Sequence, residues 1–210
     1  MVIFKYDKYN HSDTSHDWLD NIILHIIKKI PCENVIDLGC GNGNFAAKLQ
    51  KEGYDIVGVD SEETGIEIAK KYYPKLNFFQ YSIYDDPQYL KINKVDLITS
   101  IEVIEHLYKP DELLMFAKYF LKSKGKLILS TPYYGNYIKN LLCSIFNKWD
   151  DQFTVLWDGG HIKFFSLKTL NVLLEKSGFS IISHKICNRK NFFLNYIWPN
   201  NIIIIAEKNN

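Results

Sequence analysis

The chain has 210 residues, 47% of them hydrophobic and 23% charged, which is the balance of a soluble globular domain with one sizeable core. Lys and Arg number 25 against 24 Asp and Glu, so no overall basic excess exists to collect nucleic-acid phosphates or anionic lipid. Cys32, Cys40, Cys143 and Cys187 are widely spaced without a CxxC pair, and no run nears the ~20 apolar residues that span a bilayer; with no basic start leading into an apolar stretch, a cytoplasmic protein with free thiols is expected.

In chain order, "WLDNIILHIIKKI" carries apolar residues at 18, 19, 22, 23, 26, 27 and 30, the spacing of one helical face. Strand-like runs then alternate with helix-like ones. "NVIDL" (34–38), "DIVGVD" (55–60), "LNFFQ" (76–80), "VDLITS" (95–100) and "KLILSTP" (126–132) are short, apolar and β-branched, suited to strands buried on both faces. "FAAKLQKEG", "EETGIEIAKKYY" and "DELLMFAKYFLKS" between them have helical spacing. This alternation builds a parallel sheet covered by helices. Later, "SLKTLNVLLEKSGF" reads as a helix with Ser166 as N-cap and Gly178 as its stop. "SIISHKI" and "NIIIIAEK" follow as a close pair of strands. The expected fold is α/β and doubly wound: one domain over 1–210, with a seven-stranded, mostly parallel sheet and an antiparallel C-terminal edge hairpin.

Residues 133–165 stand outside the alternation and read as a lid-like insertion. In "NYIKNLLCSIFNKW", Ile138, Leu141, Leu142, Ile145, Phe146 and Trp149 form an apolar stripe opposite Lys139, Asn140, Ser144 and Lys148. That stripe suits a helix docked on the core, a lid over an apolar or aromatic substrate, or contact with a membrane surface. Phe153, Trp157, Phe164 and Phe165 are able to wall a pocket.

"VIDLGCGNGNFAAKL" runs strand, glycine-rich turn, helix, with Gly39, Gly41 and Gly43 permitting positive φ and close approach of a ligand to the backbone. A glycine turn alone serves any α/β protein. Asp60, ending the next strand, adds a carboxylate able to accept both hydroxyls of a ribose, and the ordered pair points to a nucleoside cofactor. "SIEVIEHL" sets Glu102, Glu105 and His106 after the fourth strand. If a helix begins there, offsets of three and four residues place all three on one face. Such a cluster can be a helix start with Glu at the positive end of its dipole, can offer His106 as a general base, or can bind a metal with one more ligand, for which "WDGGHIKFFS" offers His161.

"VIDLGCGNG", "VGVDSEE" and "DLITSIEVIEHL" resemble the successive motifs of class I S-adenosylmethionine-dependent methyltransferases over roughly residues 33 to 132, and "FSLKTLNVLLEKSGF" resembles their tail. The resemblance implies a cofactor site of Asp37, Gly39, Cys40, Gly41, Asp60, Ser61, Ser82, Ile83 and Ser100. In it Gly39, Cys40 and Gly41 face the methionine part, Asp60 the ribose, and Ser82 and Ile83 the adenine. EVIEH followed by a later His, an aromatic pair and a helix resembles the metal-dependent small-RNA terminal 2′-O-methyltransferases and, in part, the O-methyltransferases of ubiquinone biosynthesis. It implies that Glu102, Glu105, His106 and His161 hold Mg²⁺ or another divalent cation, with Glu105, His106 and His161 catalytic. The expected activity is methylation of a hydroxyl on a small molecule such as a catechol, quinol precursor or sugar, by a monomer or homodimer. Metal-free N- or O-methylation with His106 as base, and terminal 2′-O-methylation of RNA, are the alternatives; the neutral net charge speaks against a polyanionic substrate.

Overall fold

The computed structural model describes residues 17–149, 160–189, 195 and 198–209. Phe153 and Trp157 lie outside them. Helix α1 (Asp17–Ile27) leads into β1 (Asn34–Leu38), α2 (Asn44–Lys51), β2 (Asp55–Asp60), α3 (Glu63–Tyr72), β3 (Asn77–Gln80), β4 (Val95–Ile101), α4 (Pro110–Phe120) and β5 (Leu121–Pro132). Then come α5 (Tyr137–Ile145), α6 (Leu167–Lys176), β6 (Phe179–Cys187) and β7 (Asn201–Lys208). The sheet has seven strands in the order β3-β2-β1-β4-β5-β7-β6. Strands β1 to β5 run parallel, and β7 runs antiparallel to both neighbours.

The continuous apolar runs arise because the central strands bury both faces, successive side chains pointing to opposite sides. Ile36, Ile98, Leu127, Leu129, Ile202 and Ile204 pack on the side of α4 and α6. Their chain neighbours Val35, Leu97, Ile128 and Ile203 pack on the side of α1, α2 and α3. Helix α6 starts on a reciprocal capping box between Ser166 and Thr169 and stops at Gly178, whose φ is 83°.

Strand order reverses between β1 and β4, and at such a switch point the crevice beyond the strands' carboxyl ends receives ligands. Gly39, Asp60 and Glu102 stand on those carboxyl ends. Because β7 runs antiparallel, its first residue, Asn201, pairs with Pro132 at the same edge.

Three local expectations change. The helix expected to continue to Ser123 ends at Phe120, since Leu121 is fully buried and already pairs with Val95; the register then shifts and resumes at Lys126 opposite Leu97. "SIEVIEHL" forms a single 3-10 turn, Ile104–His106, instead of a helix, because Glu102 takes a left-handed backbone, φ 56°. In α5 the apolar stripe docks only in part: Ile138, Leu142 and Trp149 are half-buried, whereas Leu141 is 58% exposed and Ile145 and Phe146 are each 64% exposed. Of the opposite face, Lys139 and Asn140 are half-buried while Ser144 and Lys148 are exposed. Cys143 is buried, Asn140 Nδ2 donates to the Tyr134 carbonyl at 3.0 Å, and the Lys139 ammonium lies 5.8 Å from the Trp198 ring centroid.

Candidate functional site

The glycine turn is shaped by two contacts. Gly39 and Cys40 N–H both donate to Val59 O, at 2.7 and 3.2 Å, folding the turn over the end of β2. Gly39 has φ 82°, and a Cβ there would meet Val103 Cγ2 at 2.3 Å, so glycine is required both by conformation and by the closeness of Val103. Asp60 reaches back across the turn: Gly41 N donates to Oδ2 at 2.8 Å and Glu62 N to Oδ1 at 2.9 Å. Burial raises the Asp60 pKa against the pull of those N–H groups.

Beside this turn lies a cavity of about 270 Å³ lined by Gly39, Asp60, Ser61, Tyr81, Ile83, Glu102, Val103, His106 and Leu107, among others. Of the cofactor residues expected from the sequence, Gly39, Asp60, Ser61 and Ile83 line it. Gly41 instead caps Asp60. Asp37, Cys40 and Ser100 are buried behind the wall. Asp37 accepts from Thr99 Oγ1 at 2.8 Å, and desolvation pushes its pKa up to about 7. The Cys40 thiol is held well above its usual range, chiefly by burial. Ser82 uses its hydroxyl to accept the Tyr84 N–H at 3.1 Å. Val103 and Leu107 were not legible as cavity residues, since they look like ordinary core positions until the chain reverses at Glu102.

The acid and histidine cluster forms the adjoining wall. The C-terminal end of β5 and the residues after it supply a row of hydroxyls. Ser130 Oγ donates to Glu102 Oε1 at 2.7 Å, Thr131 Oγ1 donates to Glu105 Oε2 at 2.9 Å, and the Tyr134 hydroxyl lies 3.1 Å from His161 Nδ1. Asn201 Nδ2, from the start of β7, donates to Glu102 Oε2 at 2.6 Å. His106 Nδ1 lies 3.3 Å from Gly160 O, the bond of an N–H donor to a carbonyl. The Glu105 carbonyl accepts from Ile162 and Lys163 N–H at 2.9 and 3.0 Å, which brings the returning chain, and His161 with it, against the turn.

The outcome is a set of three. One carboxylate oxygen of Glu105 and one ring nitrogen each from His106 and His161 lie within 4.8 Å of one another. The imidazole rings meet edge-on with centroids 5.0 Å apart. Glu105 Oε1 is buried with no hydrogen-bond partner among the described residues, and stands 4.0 Å from His106 Nε2. Glu102, the fourth expected ligand, faces the cavity with each carboxylate oxygen accepting a hydrogen bond. Burial raises the Glu102 and Glu105 pKa values, and the Glu102 charge lifts Glu105 further. His161 is lowered to about 4, first by burial and then by His106. Tyr134 is pushed up to about 12 by burial and the two glutamates. Two imidazoles beside a carboxylate oxygen that has no hydrogen-bond partner among the described residues are a donor set for a divalent cation.

A family described as methyltransferase domain matches residues 9–184. The chain is 30% identical over 148 residues to the ubiquinone biosynthesis O-methyltransferase of Rickettsia canadensis, a match that covers 60% of this chain and 61% of that protein. The chain thus spans less than two thirds of the length of such curated relatives. Among solved structures, a SAM-dependent methyltransferase from Archaeoglobus fulgidus superposes with a TM-score of 0.66 at 20% identity, covering 92% of this chain and 94% of that one. The magnesium protoporphyrin IX methyltransferase of Synechocystis PCC 6803 with bound SAH also gives 0.66, at 16% identity, covering 98% and 91%. These two share the fold.

Proposed function

The chain belongs to the methyltransferase-domain family, and on that premise we propose that it methylates, from S-adenosylmethionine, a hydroxyl of a small acceptor such as a catechol, quinol precursor or sugar, with a divalent cation held by Glu105, His106 and His161. The observation that carries the cation is the buried Glu105 Oε1, which has no hydrogen-bond partner among the described residues and sits beside two histidines within 4.8 Å. An orphaned carboxylate oxygen is costly unless something positive meets it. Two imidazoles and one carboxylate make a borderline set, suited to Mn²⁺, Fe²⁺ or Zn²⁺ as well as Mg²⁺. A cation there would orient neighbouring hydroxyls and lower the pKa of one of them.

The chain's own part is to bind and to orient. A carboxylate has about four lone-pair directions, so Asp60, after accepting backbone N–H groups, retains room for a ribose hydroxyl. Gly39 and Val103 pack against each other along the cavity wall, with Glu102 and His106 on the side where the donor's methyl group would meet the acceptor. Each Glu102 oxygen already accepts one hydrogen bond, so Glu102 would join the cation through a remaining lone pair while Ser130 and Asn201 hold its orientation.

The test is a methyl-transfer screen over catechols, sugars and amines, run with and without chelator. Vicinal diols should yield S-adenosylhomocysteine, chelation should abolish the yield, and added Mn²⁺ or Mg²⁺ should restore it. Full turnover after exhaustive chelation would remove the cation and leave His106, which lines the cavity, as the base. Turnover with amines alone would overturn transfer to oxygen.

A further inference from the structure

The row Ser130, Thr131 and Tyr134 assigns one hydroxyl to each of Glu102, Glu105 and His161. Tyr134 is the member of that row with the most consequence, because an imidazole can rotate about its bond to the chain whereas Glu105 is already fixed by Thr131 and by its buried surroundings. Tyr134 itself is anchored at three points. Its N–H donates to the Phe165 carbonyl at 2.9 Å, its own carbonyl accepts from Asn140 Nδ2 at 3.0 Å, and its ring meets Phe164 edge-on with centroids 5.0 Å apart. Its hydroxyl is thereby delivered to His161 Nδ1 at a set position.

We propose that Tyr134 is the positioning residue of this site: its hydroxyl engages Nδ1 of His161 and fixes the ring's rotation and tautomer, so that the imidazole coordinates a cation through Nε2 together with Glu105 and His106. The inference rests on the cation reading given under Proposed function. A ligating imidazole carries its hydrogen on the nitrogen that faces away from the metal, and a partner for that N–H both orients the ring and raises its basicity. The Tyr134 oxygen supplies that partner. His106 is served in the same way by the Gly160 carbonyl at its Nδ1, so each histidine of the set has its Nδ1 engaged, and coordination would run through Nε2.

The test is calorimetric titration of the cation-free full chain with MnCl₂ alone, together with binding of S-adenosylhomocysteine. Tyr134→Phe keeps the ring on Phe164 and removes only the hydroxyl. It should raise the Mn²⁺ Kd by about tenfold or more, while affinity for S-adenosylhomocysteine stays within about twofold of wild type and reports an intact fold. His161→Ala should lose at least as much Mn²⁺ affinity, and adding Tyr134→Phe to it should cost nothing more, since the hydroxyl acts only through the imidazole. An Mn²⁺ Kd unchanged in Tyr134→Phe, with His161→Ala impaired, would overturn the role of Tyr134 and leave the cation reading standing; so would a Tyr134→Phe effect that persists in full without His161. A wild-type chain that binds no Mn²⁺, or binds it indifferently to His161→Ala and Glu105→Gln, would end both.

Discussion

Asp60 shows how one side chain joins the glycine turn to the cavity. Each of its oxygens already accepts a backbone N–H, from Gly41 and from Glu62, which fixes the carboxylate's orientation before any ligand arrives. Hydrogen bonds from ribose hydroxyls to a carboxylate are charge-assisted and worth about 1.5 to 3 kcal/mol each. Asp60→Ala should therefore weaken S-adenosylhomocysteine binding by on the order of a hundredfold, read by calorimetry; affinity equal to wild type would take Asp60 out of the site. Asp60 and Gly39 were legible in the sequence because strand, glycines, helix, strand and acid come in a fixed local order. Asn201 was not. It reaches Glu102 across 99 positions of sequence, and only because the last strand enters antiparallel with its first residue at the carboxyl edge.

At the scale of elements, the strands read correctly wherever both faces are buried, because a short β-branched run has no other comfortable place. "NIIIIAEK" is the plainest case: Ile202 and Ile204 face one core, Ile203 the other. The segments that misled were those whose pattern is local but whose partners are distant. The stripe of α5 has good helical spacing, yet the face bearing Lys139, Asn140 and Cys143 packs inward, since Tyr134 and Trp198 offer a carbonyl and an aromatic ring there. The turn after β4 looked like a helix with three polar groups on one face. A left-handed residue at Glu102 divides them, sending Glu102 to Ser130 and Asn201 and sending Glu105 to Thr131. No propensity rule favours a glutamate at φ 56°. The hydrogen bonds that hold it there come from β5 and β7, so that part of the site could be seen only in three dimensions.

For the whole molecule, the site is assembled from buried acids whose ionisation opposes folding. Asp37 has its pKa pushed up to about 7, mainly by desolvation, with Asp20 and Asp60 adding to the rise and Thr99 opposing it. An unfolded chain would release that proton near pH ~3.9. The folded state thus binds the proton more tightly, and stability present at acid pH is lost as pH rises towards 7. The raised Glu102 and Glu105 act in the same direction, whereas the lowered His161 costs stability as pH falls below its ordinary value near ~6.5. Thermal melts of the chain free of ligand should show a Tm lower by on the order of 5 °C at about pH 8 than at about pH 5, with a smaller fall in Asp37→Asn. A fall in the variant equal to that of wild type would show that Asp37 does not titrate between those limits. The proposed chemistry turns on whether Glu105, His106 and His161 meet one ion beside the methyl donor. Anomalous diffraction from crystals grown with Mn²⁺ and S-adenosylhomocysteine tests that directly. A single strong peak at about 2.0 to 2.3 Å from an oxygen of Glu105 and a nitrogen of each histidine is expected; density for the nucleoside along Asp60 with no peak among those three residues would contradict the cation site.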